Sequence, residues 1–373
     1  MGINGITNEK KAEEICLSWC SKGSKVALGL KHFFGFETEI DKKKAIEIFN
    51  EMIENDKDLK EEETKYAFFL LGRCYFKGDS TNKDLLKSIE YLNKAADLGV
   101  VNAIHGLGYI NVNGCEDKEI ETNIPKAIEY YEKSAELGHT DSIHNLALLY
   151  EEGQGVKKDL KRAVKYYERA MEYDYADSID NLGLIYQNGD IEQGVKKDLL
   201  KAIKYFEKSA SLNFANAYNN LAVIYEEGDE EFGIKSDIKK AIQLYEKSIE
   251  LKSLRGLYNL GLVYEFGNEY EKIEKDFNKS CSLYYQRFCA DQSSNANERL
   301  SNLIRENTNQ IIWRTEYHTF WPKKNNLNQN IIFVLLISKH RKQLGNQTLN
   351  GVFLKGISFQ IIQFLCHVSP KIK

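Results

Sequence analysis

Four asparagines stand at one recurring place in the chain: Asn145, Asn181, Asn220 and Asn259, each followed directly by Leu-Gly or Leu-Ala. A carboxamide both donates and accepts, so a row of them can pair with the backbone of an extended peptide whatever its sequence. The same groups can instead bond a neighbouring segment of their own chain. The position next door, two residues before the marker Leu, varies through Phe69, His105, His144, Asp180, Asn219 and Tyr258. A varying row beside a constant one is the pattern of a specific groove, and also of a plain solvent face.

Bond-making chemistry finds no comparable constellation. No P-loop, GxGxxG, HExxH or GxSxG run occurs. His139 and His144 are five apart and fall on different sides of their segment. The acidic turns Glu151-Glu152, Glu226-Glu227 and Asp229-Glu230-Glu231 have no partner residues for a metal and read as surface loops. Cys16 and Cys20 are one helical turn apart, but no second pair or nearby His completes a zinc set, so they read as core. The seven cysteines are odd in number and lack framework spacing, which points to a reducing compartment and a cytoplasmic location. The sequence therefore predicts no catalysis, no cofactor and no metal.

The elements that must position the asparagines are helices. In Asp141–Glu151 the apolar residues Ile143, Leu146, Ala147, Leu149 and Tyr150 form one stripe at helical spacing. Gly153 and Gly155 end that helix, and Asp159 is placed to cap a second one carrying Ala163, Tyr166, Tyr167 and Ala170. The unit recurs. Its second helix opens as Lys44-Ala45, Lys87-Ser88, Lys126-Ala127, Arg162-Ala163, Lys201-Ala202, Lys240-Ala241 and Lys279-Ser280, at steps of 43, 39, 36, 39, 39 and 39 residues. Its first helix keeps Leu-Gly or Leu-Ala at Leu71, Leu107, Leu146, Leu182, Leu221 and Leu260, each followed by a turn glycine. Two markers in phase over more than two hundred residues specify a repeat architecture. A bulky ring, Phe49, Leu92, Tyr131, Tyr167, Phe206, Tyr245 and Tyr284, recurs along the second helices and reads as the inter-helix core.

The runs LALLYEEGQGVKKDLKRAVKYYERA at Leu146–Ala170 and LAVIYEEGDEEFGIKSDIKKAIQLYEKSIELK at Leu221–Lys252 resemble Sel-1-like repeats, relatives of the tetratricopeptide repeat. The tetratricopeptide unit is about 34 residues, and the extra length here sits in the glycine-rich turn. The resemblance spans about residues 24–307 and implies an all-α, right-handed α-solenoid of helix-turn-helix repeats. In such folds the first helices line the concave groove, which would place the asparagine ladder and its varying neighbours there. Some Sel-1-like proteins have been linked to β-lactam hydrolysis; those carry a disulfide in each repeat, and this chain lacks such pairs.

Three regions follow. Residues 1–23 lack a signal-peptide run and form an N-terminal capping helix, with Ala12, Ile15, Cys16 and Trp19 on one face. Residues 24–307 hold about seven repeats and a terminal capping helix, with Ala296, Leu300 and Ile304 facing inward. Residues 308–373 carry nine Lys or Arg against one acid, Glu316, in a chain whose net charge is −4. Apolar runs such as Ile331–Ile337 fall short of the roughly 20 residues of a membrane span, so this region reads as a small basic helical module. Its last helix resembles the first helix of an F-box, with Leu354-Lys355 where that family has Leu-Pro. The resemblance implies contact of Leu354, Ile357, Ile361 and Leu365 with a ubiquitin-ligase adaptor.

The expected function is that of a monomeric scaffold or adaptor binding other proteins or extended peptides through the first helices. A ubiquitin-ligase substrate receptor is the first alternative. Attachment to acidic membrane or RNA through the basic module is another, although nucleic acid and membrane rank behind protein partners.

Overall fold

A computed structural model describes residues 9–55, 61–78, 82–114, 120–268, 271–291 and 295–303. In chain order the helices are α1 (Glu9–Ser21), α2 (Lys25–Phe34), α3 (Lys42–Asn55), α4 (Glu61–Lys77), α5 (Leu85–Asp97), α6 (Val101–Asn113), α7 (Ile124–Glu136) and α8 (Thr140–Glu152). They continue as α9 (Leu160–Met171), α10 (Ala176–Asn188), α11 (Leu199–Ser211), α12 (Ala215–Glu227), α13 (Ile238–Glu250), α14 (Leu254–Phe266) and α15 (Phe277–Asp291). Residues 295–303 are also helical. The predicted module 308–373, including Leu354, Ile357, Ile361 and Leu365, lies outside the described residues.

One device closes every repeat. An Asp or Asn in front of each second helix accepts a hydrogen bond from the backbone N–H three residues on: Asp41, Asp84, Asn123, Asp159, Asp198, Asp237 and Asp276, at 2.8–3.1 Å. The backbone N–H of that same residue donates to a carbonyl in the last turn of the preceding first helix, as Asp159 does to Tyr150 at 2.8 Å and Asp237 to Tyr225 at 2.7 Å. One residue thus caps the second helix and ties it to the first. Between them the turn glycines donate to the i−4 carbonyl, Gly153 to Leu149 and Gly228 to Ile224 among them. The turn after α8 spans 153–159, whereas those after α10, α12 and α14 are three residues longer. The longer turns close on themselves through the antiparallel bridges Asp190–Val195, Asp229–Ile234 and Asn268–Ile273. This is where the 39-residue steps exceed the 36-residue one.

The chain forms two compact units, Met1–Ala202 and Ile203–Lys373. In the first, α2 packs on α3, α4 on α5, α6 on α7 and α8 on α9, and each second helix then packs on the next first helix. In the second, α12 packs on α13, α13 on α14 and α14 on α15, and α12 touches α14. The architecture is an all-α helical repeat solenoid.

The predicted ring is the core. Phe49, Tyr131, Tyr167, Phe206, Tyr245 and Tyr284 are at most 1% exposed, and Leu92 is buried with them. The small residue after each marker Leu exists for these side chains: a Cβ at Gly108 would stand 2.6 Å from the Tyr131 ring, and one at Gly261 2.5 Å from Tyr284. Glycine there lets the two helices of a repeat approach. The marker Lys or Arg also has a structural role, lying over an aromatic ring at the end of the first helix. Arg162 sits 4.1 Å from the Tyr150 centroid, Lys201 3.8 Å from Tyr186, Lys240 3.6 Å from Tyr225 and Lys279 4.1 Å from Tyr264.

Of the residues expected to face inward at the two ends, Ile304 lies outside the described residues. Cys16 is buried, its thiol donating to the Ala27 carbonyl at 3.3 Å and pushed up to about 12, chiefly by burial. Trp19, expected on the same inward face, is 52% exposed, and its carbonyl accepts from Lys22 and Ser24 in the turn that ends α1. At the other end Ala296 and Leu303 are buried and Arg299 donates to Glu265 at 3.0 Å.

Replacing a cap tests the repeated device. Asp159→Ala and Asp237→Ala should each lower unfolding free energy by about 1 kcal/mol. Lying in different units, they should act additively in a urea titration of the double variant.

Candidate functional site

The asparagine row is built onto the buried tyrosines. A phenol hydroxyl taken out of water needs a partner, and each ring tyrosine has at least one. Tyr167 donates to Glu151 at 2.6 Å and accepts from Asn181 Nδ2 at 3.0 Å. Tyr245 donates to Glu226 at 2.6 Å and is also hydrogen bonded to Asn259. Tyr284 donates to Glu265 at 2.7 Å. Tyr131 is hydrogen bonded to Asn145. Burial drives the pKa of Tyr131, Tyr167, Tyr245 and Tyr284 up, so each stays a phenol, and burial likewise raises Glu151 and Glu226.

The tyrosine–glutamate pairing has a sequence signal that periodicity alone does not show. Glu151, Glu226 and Glu265 each stand five residues after the marker Leu of a repeat whose ring position is Tyr. Where the ring residue is Phe206, the equivalent position is Gln187. Tyr131 is the exception, with Val112 at that place and Asn145 as its partner.

The varying row turns toward the next repeat. His105 Nδ1 lies 2.9 Å from Ser142 Oγ and His144 Nδ1 2.8 Å from Ser178 Oγ, joining α6 to α8 and α8 to α10. In the second unit Asn219 Oδ1 accepts from Asn259 Nδ2 at 3.0 Å, joining α12 to α14. His144, Asp180, Asn219 and Asn220 are all less than 9% exposed. Tyr258 is half-buried under the Arg287 guanidinium, 5.3 Å from its ring centroid. Phe69 packs at the edge of two apolar clusters. The row expected to vary with a ligand is thus committed to contacts within the chain.

The seam between α6 and α8 holds a second histidine. His139 caps α8: its Nδ1 accepts from the Ser142 N–H at 3.3 Å, which places its proton on Nε2, 2.9 Å from Asn102 Oδ1. Its ring stacks on His105 at 4.5 Å between centroids. Burial holds His105 down to about 4 and lowers His139 and His144, against the weaker upward pull of Asp141.

The accessible stripe of the first helices lies elsewhere on their circumference. In α8 it runs through Asp141, Asn145, Leu148 and Glu152, and in α10 through Asp177, Asn181, Leu184 and Asn188. These are spaced four, three and four residues apart, one face of a helix. In the second unit the same positions give Asn216, Val223 and Glu227 in α12, and Arg255, Asn259, Leu262 and Phe266 in α14. Asn145, Asn181 and Asn259 are half-exposed here; Asn220 is buried. The apolar row two residues after the marker Leu, with Tyr109, Leu148, Leu184, Val223 and Leu262 all left partly or fully accessible, escaped sequence reading because it continues the core stripe in hydropathy. No helix among the described residues is long and apolar enough to cross a membrane, and none of them forms a cluster of three His, Cys, Asp or Glu placed for a metal ion.

Two measurements probe these networks. Tyr167→Phe leaves Glu151 and Asn181 without their shared partner and should cost about 1–3 kcal/mol. Adding Glu151→Gln, which reproduces the Phe206 and Gln187 combination of the next repeat, should recover part of that loss in a double-mutant cycle. The histidine seam sets a pH slope. His105 binds its proton less readily folded than unfolded, so its contribution is complete above the unfolded value and is lost as pH falls from about 6.5 to about 4. Urea titrations should show that decline, on the order of 2–3 kcal/mol, flattened by His105→Asn. The raised Glu151 and Glu226 act with the opposite sign, losing stability as pH rises, so the comparison with the variant isolates the histidine.

No curated protein matches the chain. A crystal structure of a Sel1 repeat protein from Oxalobacter formigenes is similar, at 25% identity and a TM-score of 0.57, covering 71% of this chain and 96% of that one. The protective antigen c5321 of uropathogenic Escherichia coli, described as displaying an SLR fold, matches at 22% identity and a TM-score of 0.42, over 81% of this chain and 70% of its own. The Sel1 repeat itself matches residues 66–100, 101–139, 140–172, 176–214, 215–253 and 254–286, more than half of the sequence. The chain therefore belongs to the Sel1 repeat family.

Proposed function

We propose that this protein is an interaction scaffold whose first helices bind other proteins, taking an extended segment along their accessible stripe. The observation that carries the reading is the apolar row of the first unit, Leu148 on α8 and Leu184 on α10. Leu148 and Leu184 are left half-buried beside the marker leucines Leu146 and Leu182, which are fully buried. Asn145 and Asn181 stand on the same stripe, and Asn259 holds the same position on α14. Their inward hydrogen bonds to Tyr131, Tyr167 and Tyr245 hold the carboxamides in place, which is the preorganisation a backbone-reading amide needs. Apolar pockets would supply affinity and the amides register. Partner identity, oligomeric state and location in the cell belong to this proposal only as expectations: protein partners, a monomer and the cytoplasm.

The test uses the full chain and a displayed library of random dodecapeptides. Selected peptides should bind the native protein and lose at least about tenfold in affinity to the Leu148→Lys, Leu184→Lys variant, with an unchanged helical circular-dichroism spectrum. Peptides that bind both proteins equally well would remove the stripe from consideration.

A further inference from the structure

Three first helices of the first unit differ from their surroundings in charge. α6, α8 and α10 contain no Lys or Arg at all, whereas α7 and α9 between them carry Lys126, Lys133, Lys161, Arg162, Lys165 and Arg169. The acids on the first helices do not all serve the fold. Glu151 is held by Tyr167 and Asp180 is buried. Asp141, Glu152 and Asp177 are exposed on the same stripe as Leu148 and Leu184, Asp141 being also hydrogen bonded to Tyr175. Lys158, in the turn that follows α8, is held by Asp190 at 3.0 Å. The apolar row is therefore rimmed by negative charge that none of these three helices offsets.

From this geometry we infer that the stripe of α6, α8 and α10 takes a basic protein segment, with apolar side chains seated on Leu148 and Leu184 and Lys or Arg side chains paired with Asp141, Asp177 and Glu152. The inference rests on the scaffold reading and narrows it to a partner class. The direct links from His105 to Ser142 and from His144 to Ser178 place the three helices side by side. Neighbouring helix axes stand roughly 8–10 Å apart, which an extended chain at about 3.3 Å per residue crosses in about three residues. The segment that fits has apolar residues about three positions apart with basic residues between them. Acidic segments and nucleic acid meet repulsion along the same rim.

The experiment measures binding of two synthetic peptide pools to the full chain by fluorescence polarisation. Both pools carry Leu at every third position; the intervening positions are Lys and Arg in one pool and Asp and Glu in the other. The basic pool should bind, weaken as salt rises, and lose roughly five- to tenfold in affinity to the Asp141→Asn, Asp177→Asn variant. A control variant that removes the same charge from the exposed face of α7, Glu129→Gln with Glu136→Gln, should leave binding unchanged. Equal loss in both variants means a non-specific attraction to an acidic chain, and overturns the inference. So does acidic-pool binding as tight as basic-pool binding. If library-selected peptides depend on Leu148 and Leu184 but not on Asp141 and Asp177, the basic partner class fails while the scaffold reading stands. If no peptide depends on either pair, both fail.

Discussion

The structure depends on burying a phenol between two helices without losing its hydroxyl's hydrogen bonds. A Tyr at the ring position fills the space that Gly or Ala leaves open on the first helix, with a large apolar gain. The gain survives only if the hydroxyl is satisfied, because a stranded buried donor costs about 1–3 kcal/mol. That requirement selects Glu151, Glu226 and Glu265 on one side and Asn145, Asn181 and Asn259 on the other. Phe206, which has no hydroxyl, stands in a repeat whose corresponding acid has become Gln187. Asn145, Asn181 and Asn259 are accordingly set by the core before they are anything else.

This is also why the sequence disclosed the fold more readily than the site. Hydropathy at helical spacing, the turn glycines and the capping aspartates all act within a few residues of each other. Their physics is local, and the helices Thr140–Glu152 and Leu160–Met171 follow from it directly. The partners of the asparagines are 14 residues away in the Tyr167 network, and 34 to 40 residues separate the histidine and asparagine links between repeats. A row of differing residues can look like a ligand-facing surface when several of its members join the next first helix by different chemistry. His105 and His144 use a ring nitrogen on serine, and Asn219 uses an amide oxygen on Asn259. Varied identity and solvent exposure are separate properties, and spacing reports neither.

The inter-repeat links differ in what holds them together, and that difference has consequences for pH. An amide bridge such as that of Asn219 is indifferent to acid. The seam at His139 is not, since its Nδ1 must stay unprotonated to receive the Ser142 N–H. Protonation there would set two donors against each other and add a charge beside the stacked His105 ring. The repeats are thus similar in architecture and unequal in chemistry, and the first unit carries the acid-sensitive joints.

Charge separation between the two helix layers follows from packing in one direction only. Lys or Arg at the start of a second helix is required by the fold, because it covers the aromatic ring closing the first helix, as at Arg162 on Tyr150 and Lys240 on Tyr225. Cations are thereby drawn to the second helices. Nothing in that arrangement requires acids on the outer face of the first, and Asp141 and Asp177 lie in the first turns of α8 and α10, where a negative charge is favoured by the helix dipole. The dipole explains their presence at that end but not the acid Glu152 in the last turn of α8, where the same dipole disfavours it. Leu148 and Leu184, both half-buried, lie with Asp141, Asp177 and Glu152 on one stripe.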